Sequence, residues 1–162
     1  MSVLADIGAS YVGPGRVLRR LLAAGPREDR ALAILMAGCT LVFIAQWPRL
    51  SREAHLSGQE LAPLVGGTLM AWLFIMPLAL YLIAFLSYLA MRLLRGKGSP
   101  YQARLVLFWA LLASTPLVLL WGLIAGLIGP GPQMALIGAL WTGCFLWFWA
   151  SGLRLIWRED AV

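Results

Sequence analysis

The stretch RLLRGKGSPYQARLVLFWALLASTP, residues 92–116, decides how the rest of this sequence can fold. It begins with a compact basic loop that carries Arg92, Arg95, Lys97 and Arg104, and a charge-free run follows that loop. Another charge-free run, residues 61–91, precedes it. Apolar runs of about 20 or more residues that flank a Lys- and Arg-rich loop are typical of transmembrane helices joined on the cytoplasmic side. The stretch therefore predicts a membrane protein in which a cytoplasmic loop joins two transmembrane helices.

The composition of the whole chain supports the same prediction. Of its 162 residues, 61% are hydrophobic and 12% are charged, whereas a soluble domain is about 45–50% apolar and about 25% charged. The net charge is +6, but the basic residues lie at the edges of apolar runs rather than in one clustered patch. We therefore expect membrane lipids as partners and no nucleic acid.

Four apolar runs predict an all-α fold, a polytopic membrane bundle of four transmembrane helices preceded by a short interfacial amphipathic helix. The transmembrane domain is predicted to span residues 31–158, between an N-terminal cytoplasmic and interfacial segment, residues 1–30, and a C-terminal tail, residues 159–162. Residues 49–60 are predicted to form a polar connector. The predicted spans are about 31–48, 61–91, 105–129 and 133–153.

Two prolines inside the predicted spans indicate kinks. Pro77 and Pro116 each remove one backbone hydrogen bond and crowd the preceding turn. The hydroxyl groups of Ser114 and Thr115, next to Pro116, can bond carbonyls that the proline leaves free. The uncharged turn GPGP, residues 129–132, predicts a tight hairpin between the last two spans.

Small residues predict where helices approach closely. Gly66 and Gly67 form a small face in the second span, and Gly122 and Gly126 form a GxxxG pair in the third. The partner helix could belong to the same chain or to a neighbour. The fourth span is rich in tryptophan, which predicts an interfacial belt. A substrate-stacking platform is the alternative.

Basic and aromatic residues at the ends of the apolar runs are predicted to contact the membrane interface or lipid headgroups. The stretch RVLRRLLAA, residues 16–24, is amphipathic and too short to span a bilayer, so it predicts an interfacial helix, with docking on the bundle as the alternative. Flanking cations and tryptophans add to this set. The predicted contact residues are Arg16, Arg19, Arg20, Arg95, Lys97, Arg104, Trp47 and Trp157.

Charge counting predicts the orientation. With four spans, one face carries five Lys or Arg residues from the N-terminal segment, four from the basic loop and two from the C-terminus. The opposite face carries two, Arg49 and Arg52, because the GPGP hairpin has none. This strong bias predicts that both termini are cytoplasmic.

The sequence predicts no catalytic chemistry. No predicted span contains Asp, Glu, Lys, Arg or His, although proton-coupled carriers usually place an ionisable group inside the bundle. Cys39 and Cys144 lie inside apolar runs, where they serve as small hydrophobic residues. No nucleophile elbow, phosphate-binding loop or metal-ligand cluster appears. We therefore predict a protein that is not an enzyme and has no catalytic residue, cofactor or metal site.

Several stretches resemble the bacterial branch of the Yip1 domain family, as found in alphaproteobacteria. The similarity lies in GKGSPYQARLVLFWALLASTPLVLLWGLI (residues 96–124) and GPGRVLRRLLAAGPRED (residues 13–29), together with the GPGP hairpin and the Trp-rich last run. It covers the chain from about Pro14 onward. The resemblance implies an all-helical, multi-pass protein of the bacterial inner membrane, and the family supplies no catalytic residues. The four predicted spans differ from the five often given for the family.

These observations lead to two hypotheses about function. The first is a non-enzymatic protein that acts as a scaffold, assembly factor or accessory subunit, in contact with other membrane proteins or with copies of itself. The absence of ionisable groups in the spans and the small helix faces motivate it. The second is a passive conduit for lipids or small solutes, because helices broken at proline can line a cavity.

Overall fold

The computed structural model describes residues 2–158, which are helical apart from the turns. The helices are α1 (Val3–Val12), α2 (Pro14–Ala23), α3 (Glu28–Ser57), α4 (Leu61–Met70), α5 (Met76–Leu93), α6 (Pro100–Leu127) and α7 (Pro132–Arg158). A π-helical segment, Ala71–Ile75, joins α4 to α5, and we call the whole of Leu61–Leu93 the α4–α5 helix. Within the described range, four helices are long and apolar enough to cross a membrane: α3, the α4–α5 helix, α6 and α7. This confirms the predicted fold class.

The helices extend further than the apolar runs that predicted them. The connector predicted for residues 49–60 is wrong over most of its length, because α3 continues past Pro48 to Ser57. This extension is amphipathic: Leu50 is buried, while Arg49 pairs with Glu53 one turn later, at 3.2 Å. Gly58, with a positive φ of 68°, ends the helix.

The other span boundaries also differ from the prediction. Helix α6 begins at Pro100, five residues before the predicted start, and α7 continues to Arg158 instead of ending at residue 153. Ser99 and Gln102 form a capping box that starts α6: the Gln102 N–H donates to Ser99 Oγ, and the Ser99 N–H donates to Gln102 Oε1. The sequence S-P-Y-Q thus contained a start signal that hydropathy alone did not indicate. The C-terminal tail predicted for residues 159–162 lies outside the described residues.

Helix α6 lies at the centre of the fold. Every residue from Leu105 to Thr115 is buried, on all sides of the helix. Helices α3 and α7 pack most extensively against α6, and α5, α1 and α2 also contact it. Both hydrophobic clusters of the core contain α6 residues, including Val106 in one and Phe108 in the other. The helix that carries the opening sequence stretch therefore organises the bundle.

The chain accommodates its two predicted kink prolines in different ways. Pro77 is the second residue after the π-helical segment, at whose end the N–H of Met76 donates to the carbonyl O of Ala71, five residues earlier. This wider turn replaces the regular i to i−4 hydrogen bonding of the helix just before the proline ring. Pro116, in contrast, lies inside α6, which runs as an α-helix without interruption from Pro100 to Leu127.

Of the two hydroxyl groups next to Pro116, that of Thr115 acts as predicted. Thr115 Oγ1 donates to the carbonyl O of Leu112 at 2.7 Å, and that carbonyl is the one that the missing N–H of Pro116 leaves free. Ser114 Oγ donates to the carbonyl O of Leu111 at 2.9 Å. The Thr115 hydroxyl thus replaces the missing backbone donor in the most buried part of the bundle.

Candidate functional site

The N-terminal segment forms two helices that dock on the bundle. The apolar face of α2 is covered rather than free for lipid, because Val17 and Leu18 are buried against α6 and α7. A Cβ atom at Gly152 of α7 would lie 3.0 Å from Leu18 Cδ1 and closer still to Val106 Cγ1 of α6, so this glycine makes room for both α6 and α2. The apolar face of α2 is therefore docked on the bundle, which is the alternative that the sequence pattern left open for this helix. Its cationic face, with Arg16, is exposed.

Helix α1, which the sequence pattern did not indicate, fastens this segment to the core. Ser10 is fully buried, and its hydroxyl accepts a hydrogen bond from Trp109 Nε1 of α6 at 3.0 Å. The same hydroxyl donates to the carbonyl O of Asp6 at 2.8 Å. The Asp6 carboxylate, mostly buried, forms an ion pair with Arg20 of α2. Burial raises the pKa of Tyr11, whose ring meets that of Phe148 edge to face.

The basic segments identified in the sequence meet at one end of the bundle. The guanidinium of Arg104, at the start of α6, pairs with Glu28 at the start of α3. Arg30 donates to the hydroxyl of Tyr101 at 3.1 Å. A Cβ atom at Gly98 would lie 3.4 Å from the side chain of Ile156, near the end of α7. We call this end, where α3 and α6 begin and α5 and α7 end, the basic end.

Arg30 has a role that the sequence did not indicate. Its Nη2 donates to the carbonyl O of Leu21 at 2.6 Å and to that of Gly25 at 3.2 Å. The last carbonyls of a helix have no partner within that helix, and a nearby guanidinium can supply one. Arg30 therefore ties the end of α2 to the start of α3.

The basic loop between α5 and α6 contains a strained residue. Arg95 has a φ of 62°, the left-handed region that residues other than glycine seldom adopt. Its N–H donates to the carbonyl O of Arg92, and the N–H of Gly96 donates to that of Met91, which is the Schellman arrangement that ends α5. The side chains of Arg95 and Lys97 are exposed at the basic end.

The predicted interface tryptophans occupy different settings. Trp47 on α3 and Trp157 on α7 are both partly exposed, and Trp47 meets Phe43 edge to face with a centroid distance of 6.2 Å. The interfacial belt predicted for the fourth span stays a prediction, and two of its tryptophans also have a packing role. Trp141 and Trp149 pack against the core clusters, and Trp141 Nε1 donates to Ser114 Oγ at 3.1 Å.

The two glycine pairs have opposite surroundings. A Cβ atom at Gly122 would lie 2.8 Å from the carbonyl carbon of Ala45 and closer still to its oxygen, and one at Gly126 would lie 2.6 Å from the carbonyl carbon of Pro48. Both glycines therefore let α6 touch the backbone of α3 in the same chain. At Gly66 and Gly67, a Cβ atom would have no other described group within 4 Å.

Several cavities follow one face of α7. A cavity of about 420 Å³ reaches Met134 near its start, one of about 260 Å³ reaches Trp141, and one of about 460 Å³ reaches Leu153 near its end. Phe145 and Trp149, between the last two, pack against the core and fill the space there. This spacing places all five residues along one side of the helix.

The middle cavity is lined by three tryptophans from three segments. Trp72 belongs to the π-helical segment, Trp121 to α6 and Trp141 to α7. Gln46 of α3 also lines it, and the carbonyl of this amide accepts a hydrogen bond from Arg49 Nε at 3.1 Å. The lining offers aromatic faces and amide or hydroxyl groups but no charged group.

Over residues 2–158, no group of three or more His, Cys, Asp or Glu side chains is placed to hold a metal ion. Cys39 and Cys144 are both free thiols. Comparisons with protein-family models, curated proteins and solved structures find no significant match for this chain.

Proposed function

We propose that this chain is a non-enzymatic membrane protein that acts through lateral helix association, as a scaffold, assembly factor or accessory subunit. One observation supports the proposal above others: the α4–α5 helix presents its Gly66–Gly67 pair to the outside of the bundle, with no described group against it. In the same chain, the other predicted glycine pair makes close backbone contact with a neighbouring helix.

The first half of the α4–α5 helix is held to the bundle on one side. No residue from Leu61 to Ile75 is buried within the described chain. Exposed apolar side chains such as Phe74 and Ile75 do not by themselves indicate a partner, because lipid tails cover them without cost. A glycine pair differs, because it lets another backbone come close and so gains van der Waals contact that lipid does not provide.

The same proposal includes the location and family suggested by the sequence. We propose that the chain lies in the bacterial inner membrane with both termini and the basic end in the cytoplasm, and the excess of Lys and Arg at that end supports this orientation. Membership of the Yip1 domain family stays a prediction. Cysteine labelling at position 12, in the N-terminal segment, and at position 128, in the α6–α7 hairpin, from either side of sealed vesicles tests the orientation, and labelling of position 12 from the periplasmic side would contradict it.

Replacement of the open glycines tests association directly. The full chain is purified from its membrane in a mild detergent. Light scattering then measures the mass of the purified species, and mass spectrometry identifies the proteins that co-purify with it. We expect the unaltered chain to run as a larger species, and a chain with both Gly66→Leu and Gly67→Leu to lose its partner. Gly143→Leu is the matched control, because a Cβ atom there also has no described neighbour within 4 Å.

Two outcomes would contradict this proposal. The first is an unaltered chain that is a monomer in several detergents and in nanodiscs. The second is a Gly66→Leu, Gly67→Leu chain that keeps the same partner in the same amount. A loss in Gly143→Leu alone would move the contact from α4 to α7.

A passive lipid or small-solute conduit is the second candidate. The cavities along α7 favour it, since together they extend over most of the length of that helix. The rings of Phe145 and Trp149 would then form the constriction between them. Reconstitution in liposomes with a fluorescent-lipid scrambling assay tests this candidate. Scrambling no faster than in empty liposomes, both for the unaltered chain and for a Phe145→Ala, Trp149→Ala chain, would remove it.

A further inference from the structure

The cavity between α5 and α7 at the basic end has the features of a lipid site. Its volume is about 460 Å³, and its walls are largely apolar, with Met91 from α5, Leu94 directly after α5 and Leu153 from α7. Helices α5 and α7 both pack along α6, yet within the described range they barely contact each other. The cavity is the space that this arrangement leaves open toward the membrane.

The mouth of the cavity carries positive charge. Arg154 lines it, is exposed, and has no ion-pair partner among residues 2–158. Trp157 lines it one turn further along α7. Tryptophan near the end of a spanning helix typically lies beside lipid headgroups. Arg92 and Arg95, at the end of α5, add exposed positive charge at the same end of the bundle. The cavity thus combines an exposed cation at its mouth with a largely apolar interior.

We propose that this cavity binds one anionic phospholipid. The phosphate lies against the guanidinium of Arg154, and an acyl chain runs along Met91 and Leu153 toward the middle of the bundle. Basic pockets between transmembrane helices at the cytoplasmic surface favour anionic headgroups. A protein helix is about 10 Å across and does not fit a space of this volume, whereas a flexible acyl chain does.

The lipid site is separate from the open glycine face, so each can be tested without the other. Gly66 and Gly67 lie near the start of the α4–α5 helix, whereas Met91 and Leu94 lie at its other end. The Gly66→Leu, Gly67→Leu chain is therefore expected to keep the lipid even when it loses its partner protein. Failure of the association proposal would leave the lipid proposal unchanged.

Lipid retention in native mass spectrometry tests the proposal. The full chain in mild detergent is mixed with phosphatidylglycerol or with phosphatidylcholine of the same acyl chains. We expect one retained phosphatidylglycerol and little phosphatidylcholine, and about fivefold lower phosphatidylglycerol retention in Arg154→Gln. Arg27→Gln is the matched control, because Arg27 lies at the same end, is exposed, and pairs with Asp29 away from the cavity. Added sn-glycerol 3-phosphate is expected not to compete, because it lacks acyl chains.

A second variant fills the cavity without changing the charge. Ala90 lines the cavity, so Ala90→Trp is expected to exclude the acyl chain and to reduce retention while Arg154 stays in place. Equal retention of the two lipids by the unaltered chain would overturn the proposal, and so would normal phosphatidylglycerol retention in both variants. If Arg154→Gln does not fold, the result for Ala90→Trp decides.

Discussion

Helix α6 and the α4–α5 helix look alike in sequence and occupy opposite positions in the bundle. The mean hydropathies of their most apolar 18-residue stretches are 2.0 and 2.4, and each helix has a glycine pair and an internal proline. Yet 61% of the most apolar stretch of α6 is buried, against 11% for the α4–α5 helix. Hydropathy therefore identifies both as spanning helices but does not indicate which one the others surround. The more apolar of the two is the more exposed.

The difference follows from the way helices associate in lipid. Apolar surface gains nothing by moving from lipid to another helix, so close packing and hydrogen bonds decide which helix is central. Helix α6 offers both. Gly122 and Gly126 admit the backbone of α3, Ser114 accepts from Trp141 of α7, and Trp109 donates to Ser10 of α1. The first half of the α4–α5 helix offers a glycine pair that no described helix uses.

The largest expected effect comes from adding a methyl group to the packed glycines. Gly122→Ala and Gly126→Ala each place a Cβ against the backbone of α3, which cannot move aside as a side chain can. We expect each to lower the free energy of unfolding by about 3 kcal/mol, the upper part of the range for overpacking. Unfolding in mixed micelles, followed by circular dichroism, measures this. A loss below about 1 kcal/mol would show that α3 and α6 are not so tightly joined.

The next effect concerns the contact between α1 and α6. Ser10→Ala leaves the buried Trp109 Nε1–H without its acceptor, so we expect a loss of about 2 kcal/mol. A second substitution, Trp109→Phe in the Ser10→Ala chain, removes the unpaired donor and is expected to cost less than the two single changes added together. Ser87→Ala on α5 is the control, because Ser87 Oγ bonds only to Ile83 O of its own helix. Strict additivity would show that the two groups do not interact.

This contact also marks how far sequence reasoning could go. Periodicity and hydropathy predicted the four long helices and the short amphipathic helix, which begins at Pro14, two residues before the predicted stretch. Helix α1 was missed because its ten residues are apolar on most sides and show no amphipathic stripe. Its one local signal is Ser2, whose hydroxyl caps the first turn by accepting from the Ala5 N–H.

Other parts of the candidate site depend on contacts that no local pattern contains. Arg30 and Tyr101 are 71 residues apart in the chain, and the exact partner of each was not predictable from either neighbourhood. The GxxxG motif predicted a close approach at Gly122 and Gly126, but not that α3 would be the partner. The cavity at Arg154 arises from two helices that pack on a third, which is a property of the bundle rather than of any one stretch.

A smaller effect is expected at the proline of α6. Thr115→Val removes the donor to the Leu112 carbonyl, so we expect a loss of about 1 kcal/mol. In a Pro116→Ala chain the backbone N–H returns and can bond that carbonyl, and there Thr115→Val is expected to cost little. The double-mutant cycle, measured by thermal unfolding, gives the coupling. An equal cost of Thr115→Val in both backgrounds would show that the hydroxyl does not replace the missing N–H.

The end of α5 carries strain that the capped start of α6 does not. Arg95 adopts a left-handed conformation, which costs a residue with a side chain about 1 kcal/mol relative to glycine. Arg95→Gly is therefore expected to raise the free energy of unfolding by about that amount, although it removes a charge from the basic end. Arg92→Gln is the control for charge, because it leaves the backbone unchanged. A loss of stability in Arg95→Gly would mean that the side chain makes a contact that outweighs the strain.

The smallest expected effect on the free energy of unfolding has the opposite sign to the largest one. Gly66→Ala and Gly67→Ala add the same methyl group as in α6, but into open space. In the isolated chain each is expected to stabilise by about 0.5 kcal/mol, because alanine favours a helix over glycine. If the pair is used by a partner helix, the same changes weaken the complex while they stabilise the free chain. Measuring the free energy of unfolding with and without the partner therefore separates the effect on the free chain from the effect on the complex. A lower stability of the free chain would mean that α4 folds back on the bundle.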